Sequence, residues 1–199
     1  MFITKLKIAN AITYLAIISA VMSMMFVYKS DMKMAFVFFV LSGVCDMFDG
    51  TFAKLFKRSD KEKEMGIQLD SLADVISFLI LPVVLGMGMG NNEFYDIIIY
   101  IFYVIMGITR LSFFNIFAND NKSNYYLGIA VTYACLIFSI IYILGQFVGR
   151  DIANMMYKMA MVILGVLFVV NIKVQKPNKL LYIMYSIIAL IAIILIILV

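Results

Sequence analysis

The chain has 199 residues, 65% of them hydrophobic and only 14% charged, with a mean hydropathy of +1.04. A soluble globule of this size cannot bury so much apolar surface, and the dominance of aliphatic and aromatic residues excludes intrinsic disorder. Histidine is absent, and the only cysteines, Cys45 and Cys135, lie inside apolar runs. This excludes a disulfide scaffold, a His/Cys zinc site and a Ser-His-Asp triad, so any chemistry rests on Asp, Glu, Lys, Arg and Tyr.

A membrane-spanning helix needs about 20 mostly apolar residues. In chain order the candidates are 8–28, 34–56, 66–90, 94–117, 125–148, 153–173 and 179–199. The breaks between them are short and polar: YKSDMK, KRSDKEKE, GNNE, NDNKSN, GRDIAN and KVQKPNK. The expectation is an all-α polytopic membrane protein of about seven transmembrane helices, forming a single integral-membrane catalytic domain over 1–199, with no internal repeat. The first span is expected to be a permanent helix, being too long for a cleaved signal peptide. No small-residue cleavage site or polar tail follows the apolar run LIAIILIILV at the end.

The basic residues set an expected orientation. With the N-terminus in the cytoplasm, the inner side holds Lys5, Lys7, Lys54, Lys57, Arg58, Lys61, Lys63, Arg110, Lys122, Lys173, Lys176 and Lys179. The outer side holds Lys29, Lys33, Arg150 and Lys158. That division, 12 against 4, accounts for all 16 Lys and Arg. The net charge of +4 then reflects topology and attraction to anionic membrane lipids, with no indication of nucleic acid. The expected location is the cell (cytoplasmic) membrane, multi-pass. Glu62 and Glu64 read as solvated partners of the loop lysines, and the 16 Met and 17 Phe as lipid-facing or packing residues.

Carboxylates inside spans are costly and mark function. Asp46 and Asp49 fall in the second span and Asp70 and Asp74 in the third, and a short basic loop makes these two spans an antiparallel hairpin. The pairs are spaced i,i+3 and i,i+4, so each shares a helix face. At ~1.5 Å rise per residue, they lie roughly 15, 10, 6 and 12 Å from the inner ends of their helices, in the cytoplasmic half. Four facing carboxylates repel one another unless cations intervene. Oxygen ligands suit Mg²⁺ or Mn²⁺, with Ca²⁺ possible, and two such ions side by side would clamp a phosphoryl group. Gly50 and Ala53, on the Asp46/Asp49 face, leave room for a nucleotide or phosphate, or simply let helices pack closely. On residue chemistry alone, a proton or cation transporter stays open as an alternative, although repeats and paired broken helices are missing.

The stretch CDMFDGTFAKLFKRSDKEKEMGIQLDSLAD resembles the signature of the CDP-alcohol phosphotransferases, D-x-x-D-G-x-x-A-R followed after a spacer by G-x-x-x-D-x-x-x-D. Here it reads Asp46, Asp49, Gly50, Ala53, then Gly66, Asp70 and Asp74, with Lys54 in place of the usual Arg. That substitution keeps the charge and loses the bidentate fork. QLDSLADVISFLILP, TRLSFFN at 109–115 and YYLGIAVTYA at 125–134 are similar to the phosphatidylserine synthase branch. Ser112, Phe113, Ile129 and Ala130 depart from that branch's usual strings. IANAIT resembles the family's usual Pro-Asn-x-x-Thr start, with Ala9 in place of Pro.

The resemblance implies a divalent-metal-dependent transfer of a phosphatidyl group from a CDP-linked lipid, diacyl or ether-linked, to L-serine, with CMP leaving. Sister enzymes of the family use glycerol 3-phosphate or an inositol phosphate. It implies two divalent cations held by Asp46, Asp49 and Asp70 with Asp74 near or on the second, and Asp74 as the catalytic base. It places the CDP-lipid against Gly50, Thr51, Ala53, Gly66, Asn10 and Thr13. Arg110, costly inside a span unless paired, would hold the acceptor carboxylate or a phosphate, with Asn115 and Lys122 on the same side. It further implies a cytoplasmic active site and a homodimer.

Overall fold

The computed structural model describes residues 8–117, 125–175 and 179–198. A short 3-10 turn, Ile8–Asn10, leads into α1 (Ala11–Tyr28). The helix α2 (Met32–Ala53) starts at Asp31, whose side chain accepts a hydrogen bond from the Met34 N–H at 3.0 Å. Ser59 opens α3 (Asp60–Asp74) with a capping box, its own N–H donating to Glu62 at 2.8 Å. Glu62 thus caps α3, and Lys63 pairs with Asp60 at 2.9 Å.

α3 continues through a π-helical segment, Val75–Ile80, into α4 (Leu81–Gly88). Then come α5 (Phe94–Phe117), α6 (Tyr133–Val148), α7 (Arg150–Val169) and α8 (Lys179–Leu198). Counting α3, the π segment and α4 as one rod, the described residues form seven helical rods. Five helices are long and apolar enough to cross a membrane: Ile8–Tyr28, Met32–Ala53, Asp60–Gly88, Phe94–Ile116 and Arg150–Val169. Tyr133–Val148 and Met184–Leu198 are shorter apolar helices. The described residues form an all-helical, multi-pass membrane protein except for one small ribbon.

That ribbon revises two of the expected spans. β1 (Tyr125–Leu127) pairs antiparallel with β2 (Lys173–Gln175), Tyr126 standing opposite Val174. The run from 125 is a strand and a turn before it becomes a helix at Tyr133, and the helix begun at Arg150 ends at Val169, before β2. Tyr-Tyr-Leu satisfies hydropathy in either conformation, so a hydropathy window extends the span too far. Gly128 leaves β1 with φ of +75°, and a β-carbon there would lie 2.7 Å from the Phe168 carbonyl oxygen. Both the dihedral and the close approach require glycine. The third span also begins earlier than its apolar stretch, because the capping box makes half of KRSDKEKE helical.

Small residues bring α1 and α2 together. Ala16, Ala20 and Ala35 are buried, Ser23 donates to the Ala35 carbonyl at 2.6 Å, and Ser42 to the Ala16 carbonyl at 2.9 Å. The core beyond them is aromatic. Phe36 stacks on Tyr142 with centroids 4.1 Å apart, and Phe138 on Tyr157 at 4.4 Å. At the end of the bundle away from the ribbon, Lys158 pairs with buried Asp96 at 3.3 Å, and Arg150 donates twice to the Met89 carbonyl, at 3.2 and 3.0 Å.

The irregular rod is held from outside. The Leu81 N–H reaches back five residues to the Ile76 carbonyl, the π pattern. Pro82 has no N–H to offer the Phe78 carbonyl one turn back. The Tyr103 hydroxyl donates to that carbonyl at 2.7 Å, and the Tyr157 hydroxyl donates to the Pro82 carbonyl, also at 2.7 Å. Both phenols are fully buried. Tyr103→Phe leaves the ring packing intact and strands a buried carbonyl, at a cost of about 1–3 kcal/mol. The expected outcome is a lowered thermal midpoint in detergent, and an unshifted midpoint would show that another donor serves the carbonyl.

Candidate active site

The spacing of the acidic residues and the hairpin of α2 and α3 place four carboxylates together. One oxygen from each of Asp46, Asp49 and Asp70 lies within 4.8 Å of the others. Asp46 is in hydrogen-bonding contact with Asp74, and Asp49 with Asp70. Thr13, two residues into α1, donates its hydroxyl to Asp49 Oδ2 at 2.8 Å. Asp49 and Asp74 are each only 8% exposed, and Asp74 Oδ1 is buried with no hydrogen-bond partner among the described residues.

Arg110 approaches from α5. It is 8% exposed, its positive charge acts on Asp74, and its guanidinium carbon lies 4.7 Å above the Phe114 ring. A buried cluster with more carboxylates than nearby cations is unfavourable as it stands. An all-oxygen donor set with an orphaned buried carboxylate oxygen fits a hard divalent cation.

These groups share a cavity of about 360 Å³ between α2, α3, α5, α6 and α8. All four aspartates and Arg110 line it, as do Gly50, Thr51 and Lys54. A β-carbon on Gly50 would meet nothing within 4 Å, so the backbone there opens directly onto free space. Ala53 is buried in helix packing and does not line the cavity.

Other residues singled out in the sequence fall elsewhere. Asn10, Thr13 and Gly66 lie outside the cavity lining. A β-carbon on Gly66 would lie 3.2 Å from Arg58 Nη1 and 3.8 Å from Asn10 Oδ1, so glycine lets these two side chains close against α3. Asn115 hydrogen-bonds to Ser71, its amide nitrogen donating at 2.8 Å. It thus ties α5 to α3 next to Asp70 and is not among the residues lining this cavity. Lys122 lies outside the described residues.

The structure also adds a wall that composition does not reveal. Thr132 and Tyr133 of α6, and Tyr185 and Ala189 of α8, line the cavity opposite the aspartates. The last helix reads in sequence as undifferentiated apolar span. The usable signal there was the polar side chains Tyr182, Tyr185 and Ser186 in an otherwise aliphatic run, since a hydroxyl needs a partner when buried.

Residues 6–199 match the CDP-alcohol phosphatidyltransferase family, and the chain belongs to it. Membership weighs against the transporter alternative. The chain is similar to proteins named CDP-diacylglycerol–serine O-phosphatidyltransferase in three organisms. It is 37% identical to that of Saccharomyces cerevisiae over 46% of this chain and 35% of the yeast protein. With that of Helicobacter pylori (strain 26695), identity is 30% over 82% of this chain and 70% of the relative. With that of Bacillus subtilis it is 32% over 51% and 57%. The chain therefore spans about a third of the yeast relative's length in the matched region.

Replacing Asp46, Asp49 or Asp70 with Asn keeps the shape of each side chain and removes one negative charge from the cluster. Each variant is expected to weaken Mn²⁺ binding roughly tenfold or more, measured by equilibrium dialysis on purified protein, because cation affinity follows ligand charge. Thr13→Val is expected to weaken it less, since Thr13 orients Asp49 without contributing charge. Unchanged Mn²⁺ affinity in all three Asn variants would rule out a cation site here.

Proposed function

We propose that the chain transfers the phosphatidyl group of a CDP-linked lipid, such as CDP-diacylglycerol, to L-serine, yielding phosphatidylserine and CMP. The observation that carries this reading is the convergence of four carboxylates, Arg110 and the open backbone at Gly50 on one cavity within an apolar bundle. The names of the relatives and the string TRLSFFN support serine as the acceptor.

In this reading Asp46, Asp49 and Asp70 hold divalent cations, with Asp74 beside them. Bound there, such ions neutralise the pyrophosphate and stabilise the departing CMP. The remaining roles fall to side chains of the protein. Gly50 lets the diphosphate approach the α2 backbone, and Thr51 and Lys54 offer a hydroxyl and a positive charge along the same wall. We assign the cytidine end to Asn10 and Gly66, which lie together with Arg58 outside the cavity lining, on the strength of the motif. Asp74, with its unpartnered buried oxygen, takes the proton of the serine hydroxyl. The serine oxygen forms a bond to the lipid phosphorus, and the phosphorus–oxygen bond to CMP breaks. Arg110 binds the serine carboxylate or the transferred phosphate through its planar fork.

The orientation follows the charge distribution. With 12 of the 16 Lys and Arg on one side, the aspartate end of α2 and α3 faces the cytoplasm, where serine and CMP are dissolved.

The deciding experiment follows CMP release by purified protein given CDP-diacylglycerol, Mn²⁺ and, in turn, serine, glycerol 3-phosphate, inositol phosphate or water. Serine is the expected acceptor, and a preference for either phosphorylated acceptor would overturn the assignment. Asp74→Asn is expected to lower transfer to serine by roughly 10²–10⁴-fold, the usual contribution of a general base, while binding of CDP-diacylglycerol persists. Equal loss of lipid binding would make Asp74 a ligand only. Arg110→Lys is expected to raise the KM for serine or lower kcat with the Mn²⁺ requirement unchanged. A variant with normal serine kinetics would remove Arg110 from the acceptor site.

A further inference from the structure

The cavity has two chemically different walls. α2 and α3 present carboxylates, whereas α6 and α8 present a pair of phenols. Tyr133, at the start of α6, and Tyr185, on α8, both line the cavity. Their hydroxyl oxygens are 2.9 Å apart, and their rings meet edge to face at 81° with centroids separated by 5.9 Å. When one phenol donates to the other, the second keeps its own proton, and both oxygens keep acceptor capacity. Ala189 lines the same wall one turn beyond Tyr185, so a whole face of α8 borders the site.

We infer that the Tyr133–Tyr185 pair binds the ammonium end of the acceptor and makes the last helix a specificity-determining part of the site. This rests on the serine reading above. Serine carries three polar groups. Its hydroxyl must reach the lipid phosphorus beside Asp74, and its carboxylate is repelled by the aspartates and matched by Arg110. The ammonium then needs acceptors that are not already engaged by cations. Two phenol oxygens supply them, and the electron-rich ring faces add attraction for a cation. The wall is neutral, so it adds no charge to an apolar bundle. It also offers no cation to a second anionic group, which disfavours acceptors carrying a phosphate.

The test uses the purified full chain with CDP-diacylglycerol and Mn²⁺, and follows CMP release. Tyr133→Phe and Tyr185→Phe keep the rings and their packing while removing one oxygen each. Two fragments of serine serve as competing ligands: ethanolamine, which keeps the ammonium, and 3-hydroxypropionate, which keeps the carboxylate. Loss of one hydrogen bond is expected to raise the serine KM and the inhibition constant of ethanolamine roughly three- to tenfold. The inhibition constant of 3-hydroxypropionate and the KM for CDP-diacylglycerol are expected to stay unchanged. A uniform shift for both fragments, or no shift for either, would make the pair a packing contact and overturn the inference. Each variant is read separately, and one that keeps the wild-type melting midpoint suffices. A wild-type protein that ignores serine sinks the serine reading and this inference together, whereas a serine-active wild type with silent Phe variants sinks this inference alone.

Discussion

Mutual repulsion among four carboxylates held inside an apolar bundle is the constraint on which the rest of the structure depends. Neighbouring antiparallel helices carry them, spaced three residues apart on α2 and four apart on α3, so every charge faces the others. Nothing in a hydrocarbon environment offsets such a concentration of negative charge. The arrangement persists when the charge is met by cations or shared protons, by Arg110, and by donors such as the Thr13 hydroxyl. The same repulsion makes the site useful, because a cluster that needs cations collects the groups that a pyrophosphate also needs.

The helices around the cluster fix it in place with little polar material. α1 and α2 approach closely through alanines and serines, and that approach carries Thr13 within reach of Asp49. The Asn115–Ser71 contact fastens α5 to α3 one residue beyond Asp70, and the same helix delivers Arg110. Tyr103 and Tyr157 serve carbonyls around Pro82, so the rod bearing Asp70 and Asp74 keeps its irregular course without exposing backbone to lipid. The hydroxyls of Thr13, Ser23, Ser42, Tyr103 and Tyr157 each donate to a specific acceptor, as a low-dielectric surrounding favours.

The carboxylate cluster was readable in the sequence because its spacing is periodic and its residue type is rare in spans. Asp46, Asp49, Asp70 and Asp74 needed only the helix repeat and a short hairpin to be brought together. The start of α6 was not readable, because Tyr125 to Leu127 are equally apolar as strand or helix and only the pairing with β2, nearly fifty residues away, decides. Asn115 and Gly66 stood out in the sequence only through the motifs that contain them. Their partners, Ser71 for one and Arg58 with Asn10 for the other, depend on helix rotations that no hydropathy pattern encodes. Tyr185 escaped notice for a related reason. Its helix carries hydroxyl side chains in one turn only, Tyr182, Tyr185 and Ser186, which is too short a stripe to stand out in a long aliphatic run.

The π-helical segment Val75–Ile80 gives the third rod a property its neighbours lack. A π turn holds one residue more than an α turn, so this helix carries a spare residue between its acidic half and its apolar half. The two halves are therefore out of phase with a single continuous α-helix and are separately adjustable. Removing one residue within 75–80 is expected to convert the wide turn to an ordinary one with both flanking halves in place, leaving the phase of Asp70 relative to Asp74 untouched. The same deletion between 70 and 74 would turn one carboxylate away from the other. The wide turn thus works as a slip joint: a one-residue change of length is taken up there while the part that answers to chemistry holds its register.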